Sequence, residues 1–260
     1  GGLLVNGGTA TLGNTWAGYW TRSTGIITVS SGSLTTTGNA NIGYSGSGQL
    51  WISGGTFAPR SLSVADRTNS SGMITLSGGS LTITGGSGLY FYVGNLGSGS
   101  MLINGGSARL GTTVSVGNTA GGTGAVTLAS GSLTINEHFH IGASGSGTLW
   151  MQGGTATLGN LYAGSNASGV GAITVSGGAL NSSGSAYIGM SGRGDLVVSG
   201  GSAAVRALYT GQTSGSTGIV TVSGGSLQVT NAGYIGYSGS GQLWIDGGSV
   251  TLSSLDVGAM

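Results

Sequence analysis

The chain contains no cysteine and no lysine, one proline (Pro59), and charged residues at only 4 % of its 260 positions. Each shortage removes a class of protein. Without cysteine there is no disulfide framework and no thiolate metal site. A formal net charge of +1, from six arginines and five carboxylates, leaves no basic footprint for nucleic acid or an anionic membrane surface. No apolar run approaches the roughly 18 residues of a spanning helix, so membrane insertion is not expected. A lone proline, and glycine that does not recur at every third position, exclude collagen. The first residues, Gly1 to Gly8, carry neither an initiator methionine nor the basic start of a signal peptide. The chain is therefore expected to be a segment of something longer.

What is abundant is glycine, at 60 positions, alongside 38 % hydrophobic residues. Disordered chains combine few apolar residues with high charge, the opposite of this composition. A glycine-rich, apolar and almost uncharged chain needs a regular backbone that satisfies its own hydrogen bonds.

Internal periodicity supplies that backbone. A rung reads Gly-x-Φ-x-Φ-x-Gly-Gly-x-Φ, then a variable stretch, then Φ-x-Φ-Gly, with Φ usually apolar. Eleven rungs begin at Gly1, Gly25, Gly48, Gly72, Gly99, Gly124, Gly147, Gly171, Gly194, Gly218 and Gly241. The third and fifth rung positions are apolar in all eleven, from Leu3 and Val5 to Leu243 and Ile245. Alternation with period two marks a strand with these residues facing inward. A second strand follows the Gly-Gly turn, and its inward position alternates between leucine (Leu34, Leu81, Leu133, Leu180, Leu227) and, mostly, a small residue such as Ala108 or Ala156. A third strand ends in Φ-Gly, as in Tyr187-Ile188-Gly189. Three short strands in 23 to 24 residues predict an all-β fold, a right-handed parallel β-helix (β-solenoid) forming a single domain over residues 1–260. Two places break the rhythm: the stretch around Gly85 to Gly88 and the charged turn Asp66 to Asn69, both expected as surface loops.

The rungs also pair. Even rungs carry threonine at the outward site of the first strand (Thr28, Thr75, Thr127, Thr174, Thr221). Odd rungs carry Leu4, Trp51, Leu102, Trp150, Val197 and Trp244 there. The genetic unit is thus a two-rung block of about 47 residues by rung spacing. Blocks are near copies: Ile42 to Ile52 and Ile235 to Ile245 are identical.

The motif Ile-Gly-x-x-Gly-x-Gly-x-Leu, closed by a Gly-Gly pair and present at Ile141 to Gly154 and Ile188 to Gly201, resembles the repeats of autotransporter (type V secretion) passengers. It is similar, too, to repeats of surface proteins that carry a PEP-CTERM sorting tail. The resemblance covers essentially the whole chain. It implies a bacterial protein exported to the cell surface, where such repeats serve as stalks, adhesin bodies and filaments.

Candidate chemistry is sparse. Glycoside hydrolysis needs two carboxylates facing one bond, whereas Asp66, Glu137, Asp195, Asp246 and Asp256 fall in rungs three, six, nine, eleven and eleven. No enzyme activity and no cofactor are expected. His138 and His140, with Glu137, form a thin metal-ligand set, and a solvated strand is preferred. Asn69, Asn166 and Asn181 open glycosylation sequons, as chance provides in a serine-rich chain. Threonine pairs such as Thr35/Thr37 and Thr82/Thr84 drift too much in register for an ice-binding face. The outward column before the last strand position is the most distinctive feature. It contains Trp16, Tyr92 and then, from rung six to rung ten, His140, Tyr162, Tyr187, Tyr209 and Tyr234 without interruption. An aromatic ladder that stabilises the face is preferred, with a glycan-binding or partner-binding strip as the alternative. Trp51, Trp150 and Trp244 recur every fourth rung and predict lateral association or docking over the first strand. The expected function is a non-catalytic extracellular shaft or filament body that self-associates, end to end or laterally, or contacts other surface components. The alternative is an adhesin with an aromatic glycan-binding strip.

Overall fold

A computed structural model describes residues 1–86 and 89–258. Among the described residues the fold is all-β, with no helix, and every strand pairing is parallel. Pairing runs from each rung to the next. Gly25 pairs with Gly48, Gly48 with Gly72, Gly72 with Gly99, and so on to Gly218 with Gly241. The eleven rung starts read from the sequence are therefore stacked one above another as a β-solenoid. Part of the stretch expected as a loop in rung four, Ser87 and Gly88, lies outside the described residues.

The inward columns form one continuous core. Leu50, Ile74 and Leu196 of the first strand, Leu34, Phe57 and Leu133 of the second, and Phe91, Phe139 and Leu161 of the third are all buried. Along the second strand the register stacks Leu133 between Ala108 and Ala156, and Leu180 between Ala156 and Ala203. Large residues thus lie over small ones here, while Phe57 departs from the alternation by stacking between Leu34 and Leu81. No charged side chain is among the buried residues described. Buried hydroxyls find partners: Thr15 and Thr36 share a 3.1 Å Oγ1–Oγ1 hydrogen bond, and the Ser182 hydroxyl donates to the Gly159 carbonyl.

The expected three separate strands per rung are, in places, a single one. Strands Thr24–Ile42 and Thr123–Ile141 each run through two corners as one continuous strand. Register shifts at Thr36/Asn39 and Ile135/His138 show why. The corner is a bulge that keeps its ladder hydrogen bonds, as where the Gly38 amide donates to the Gly13 carbonyl at 2.6 Å.

The corner after the third strand is stricter. Gly189 has φ 71, and a Cβ there would sit 2.1 Å from the Thr217 carbonyl oxygen. Glycine is thus required for backbone conformation and for close approach of the next coil. In rung three Ala65 takes the same left-handed conformation, φ 56. The two-rung unit has its origin in the turn that follows. Odd rungs can carry a further left-handed residue there, Arg22, Asn69, Gly121 or Gly215, and this turn is two residues longer in odd rungs (Gly18 to Gly25) than in even ones (Gly43 to Gly48). We expect Gly189→Ala to lower stability by about 2–4 kcal/mol, combining left-handed strain with overpacking. Gly236, φ 69 in the same corner, would bring a Cβ no closer than 3.3 Å to any neighbour. Gly236→Ala should therefore cost only the conformational part, about 1–2 kcal/mol. Urea unfolding of the two variants checks the difference.

Candidate functional site: an aromatic ladder and a tryptophan face

In-register stacking brings the outward column of the third strand into a line. His140 pairs with Tyr162, Tyr162 with Tyr187, Tyr187 with Tyr209 and Tyr209 with Tyr234. Their rings are parallel: centroids lie 4.6, 4.9, 5.0 and 4.8 Å apart, with interplanar angles of 10, 6, 12 and 13°. The strand spacing of about 4.8 Å imposes that distance. Tyr237 packs edge-on against Tyr209 and Tyr234, and His138 edge-on against His140 and Tyr162. Both faces of the Tyr162, Tyr187 and Tyr209 rings are consequently covered by neighbouring rings. What the ladder offers to solvent is a row of ring edges and phenolic hydroxyls.

The electrostatics follow from this packing. Burial pushes the Tyr162 and Tyr209 phenols above their usual pKa, with neighbouring phenols adding to the effect. Burial, helped by the nearby His138, lowers His140 to about 4. His140 is therefore neutral, and its Nδ1 lies 2.8 Å from the Ser165 Oγ.

Tyr92 stands apart from this stack. It pairs in register with Ser63 on one side and Ser115 on the other, both buried, and its ring stacks at 4.6 Å on Tyr90, two residues earlier in its own rung. A second aromatic group gathers at the corner turns of the first rungs. Tyr19 stacks on Tyr44 at 5.1 Å, Trp16 and Trp20 pack edge-on against Tyr19, and the Arg67 guanidinium lies 5.0 Å from the Tyr44 ring centre and donates to its hydroxyl. Tyr19 and Tyr44 each follow a corner glycine, a signal that the column reading passed over. Farther along the same corner Asn95 donates to Asp66 and Asn118 donates to Asn95, a polar ladder built by the same stacking.

On the first strand, the threonine and large-residue column is likewise in register: Thr28 with Trp51, Trp51 with Thr75, Thr127 with Trp150, and Thr221 with Trp244. Trp51, Trp150 and Trp244 are 39, 49 and 59 % exposed and, among the described residues, contact no other aromatic ring. Their indole N–H groups are held by the Gln49 side chain, the Ser176 hydroxyl and the Gln242 side chain.

The carboxylates remain dispersed. Asp66 accepts from Ser63 and Asn95 and pairs with Arg67 at 3.5 Å; Glu137 accepts from Thr113; Asp195 pairs with Arg193 at 3.3 Å. Asp246 follows the strand Ser240–Ile245, while Asp256 lies on Ser249–Val257, in the column of Tyr234. The rings of His138 and His140 are 6.1 Å apart at 75°, and no group of three metal-ligating side chains occurs among the described residues. Thr11 pairs with Thr35 and Thr35 with Ala58, so the threonine columns of the second strand are broken. No helix among the described residues is long and apolar enough to cross a membrane. In comparisons with known proteins the chain matches no family model, no curated sequence and no solved structure.

Two outcomes are expected. Tyr187→Ala removes two ring pairs and should destabilise the fold by about 1–3 kcal/mol, measured by chemical unfolding. His140 prefers to be neutral in the fold, so the unfolded chain takes up its proton first as pH falls. Its contribution to stability is complete above about pH 6.5 and is lost between there and about pH 4. The loss should be on the order of 3 kcal/mol. His140→Tyr, which continues the ladder, should flatten this part of the stability–pH curve.

Proposed function

We propose that the chain is a non-catalytic structural shaft of a bacterial cell surface or its extracellular matrix. The observation that carries this reading is the unbroken parallel register from the first rung to the eleventh, which makes a rod roughly 50 Å long at strand spacing. Among the described residues the first-strand pairing continues from each rung to the next. Asp66, Glu137 and Asp195 are engaged separately, and the recess at the turns lined by Ala120, Ser144, Ser146 and Ser168 is shallow and lined by small side chains. The resemblance of the repeats to autotransporter passengers and PEP-CTERM-associated surface proteins supports a role outside the cell.

The adhesin reading places a glycan on the tyrosine strip. A sugar ring stacks on an aromatic face, and in the ladder the inner rings have both faces taken by one another. That geometry favours a cohesive role for the tyrosines.

Deleting one two-rung block, residues 124–170, joins Thr123 to Gly171 and preserves the odd–even alternation. The shortened protein should fold and lose about 9.6 Å of length in small-angle scattering. As part of its full-length surface protein it should retain function while holding the distal end closer to the cell. Loss of a surface phenotype that a compensating block inserted elsewhere fails to restore would overturn the shaft reading and assign a local site to these rungs.

A further inference from the structure

The outward column of the first strand is complementary to itself. Its order repeats every four rungs: an aliphatic residue, threonine, tryptophan, threonine. Consider a second copy laid face to face on the first, with its long axis reversed about a two-fold axis parallel to the strands. Rung n of one copy then faces rung 12 − n of the other. Trp51 meets Val197, Trp150 meets Leu102, and Trp244 meets Leu4. Each of the three tryptophans thus falls on an aliphatic residue. Thr28 meets Thr221, Thr75 meets Thr174, and Thr127 meets its own counterpart at the axis. For these eleven rungs on their own, of the registers that oppose tryptophan to aliphatic, this one gives the greatest overlap.

The neighbouring columns obey the same operator. Asp195 and its partner Arg193, which form one ion pair, fall opposite the uncharged Gln49 and Ser47. Asp246 falls opposite Asn6, so no carboxylate meets another. Ile26, itself exposed, falls opposite Ile219.

We propose that this face pairs two copies of the chain as an antiparallel, two-fold symmetric dimer with Thr127 on the axis. A two-fold interface requires one patch to fit itself, which is the property that this column has. Trp51 and Trp150, 39 and 49 % exposed, meet the half-buried Val197 and Leu102, while at each end Trp244, 59 % exposed, lies against Leu4, 65 % exposed. The area is sufficient. Eleven rungs at about 4.8 Å and a strand of about six residues at 3.3 Å give a face on the order of 1,000 Å² per copy. A stable interface of standard size needs about 800 Å² per partner. Central aromatic anchors surrounded by hydroxyls match the anatomy of such interfaces.

The test exploits the absence of cysteine. Facing sheets lie about 10 Å apart, within reach of a short bis-maleimide. Thr127→Cys should cross-link to dimer in high yield, whereas Thr28→Cys alone should not, its two copies being about 38 Å apart. A mixture of Thr28→Cys and Thr221→Cys should yield the mixed dimer. Sedimentation of the unmodified chain should show a monomer–dimer equilibrium, and Trp150→Ser should weaken it at least about tenfold while far-UV circular dichroism stays unchanged. Cross-linking of Thr28→Cys with itself would overturn the antiparallel register. A chain that remains monomeric at high concentration would overturn the proposal, and tryptophan-dependent retention of that monomer on an insoluble neutral polysaccharide would assign the face to a glycan. None of these outcomes bears on the shaft reading, which depends on the stack within one chain.

Discussion

Everything in this molecule depends on the parallel backbone ladder that fixes each coil about 4.8 Å above the last. That constraint places each residue over its equivalent in the next rung, so any side-chain type repeated at one rung position becomes a column. Leucine over alanine makes a filled core; tyrosine over tyrosine makes a stack with centroids 4.6 to 5.0 Å apart; asparagine over asparagine makes a hydrogen-bonded ladder. None of these depends on a special local motif. Each is the same register applied to a different chemistry. The backbone ladder also explains why the chain tolerates so little charge, since ionised groups of one sign in a column would repel at strand spacing.

The corners are where register is won or lost. A turn one residue too long would move every following side chain to the wrong face. Glycines with positive φ, pressed against the backbone of the next coil, hold the length of each turn. The alternation of turn lengths between odd and even rungs therefore coincides with the alternation of side chains, inside and out. The core pattern, the threonine and tryptophan pattern and the turn pattern are three expressions of one duplicated block.

Much of this was legible in the sequence because period-two alternation and fixed glycines identify both strand and register. The first-strand columns, the alternation at Leu133 and its neighbours, and the five-ring line from His140 to Tyr234 all stand where the repeat placed them. Orientation was not legible. Whether a tyrosine presents a face or an edge is set by its rotamer and its neighbours, so the covered faces of Tyr162, Tyr187 and Tyr209 emerge only in three dimensions. Tyr92 occupies the right column yet stacks on Tyr90, because the serines above and below it leave no ring to meet. The merged strands Thr24–Ile42 and Thr123–Ile141 escaped notice because a bulged corner and an open one can share the same glycine-rich composition. The Tyr19–Tyr44 cluster was missed because it lies just beyond the repeat positions that define the strands.

The direction of the hydrogen bonds has a mechanical consequence. They run along the rod, from coil to coil, so a pull between its ends puts the same load on every coil-to-coil interface, and the rod yields one coil at a time. Each detached coil of about two dozen residues releases several nanometres of slack at a few ångströms' cost in folded height. A β-solenoid rod therefore gives length under a sudden load while the remaining coils stay intact and ready to template the return of the lost ones.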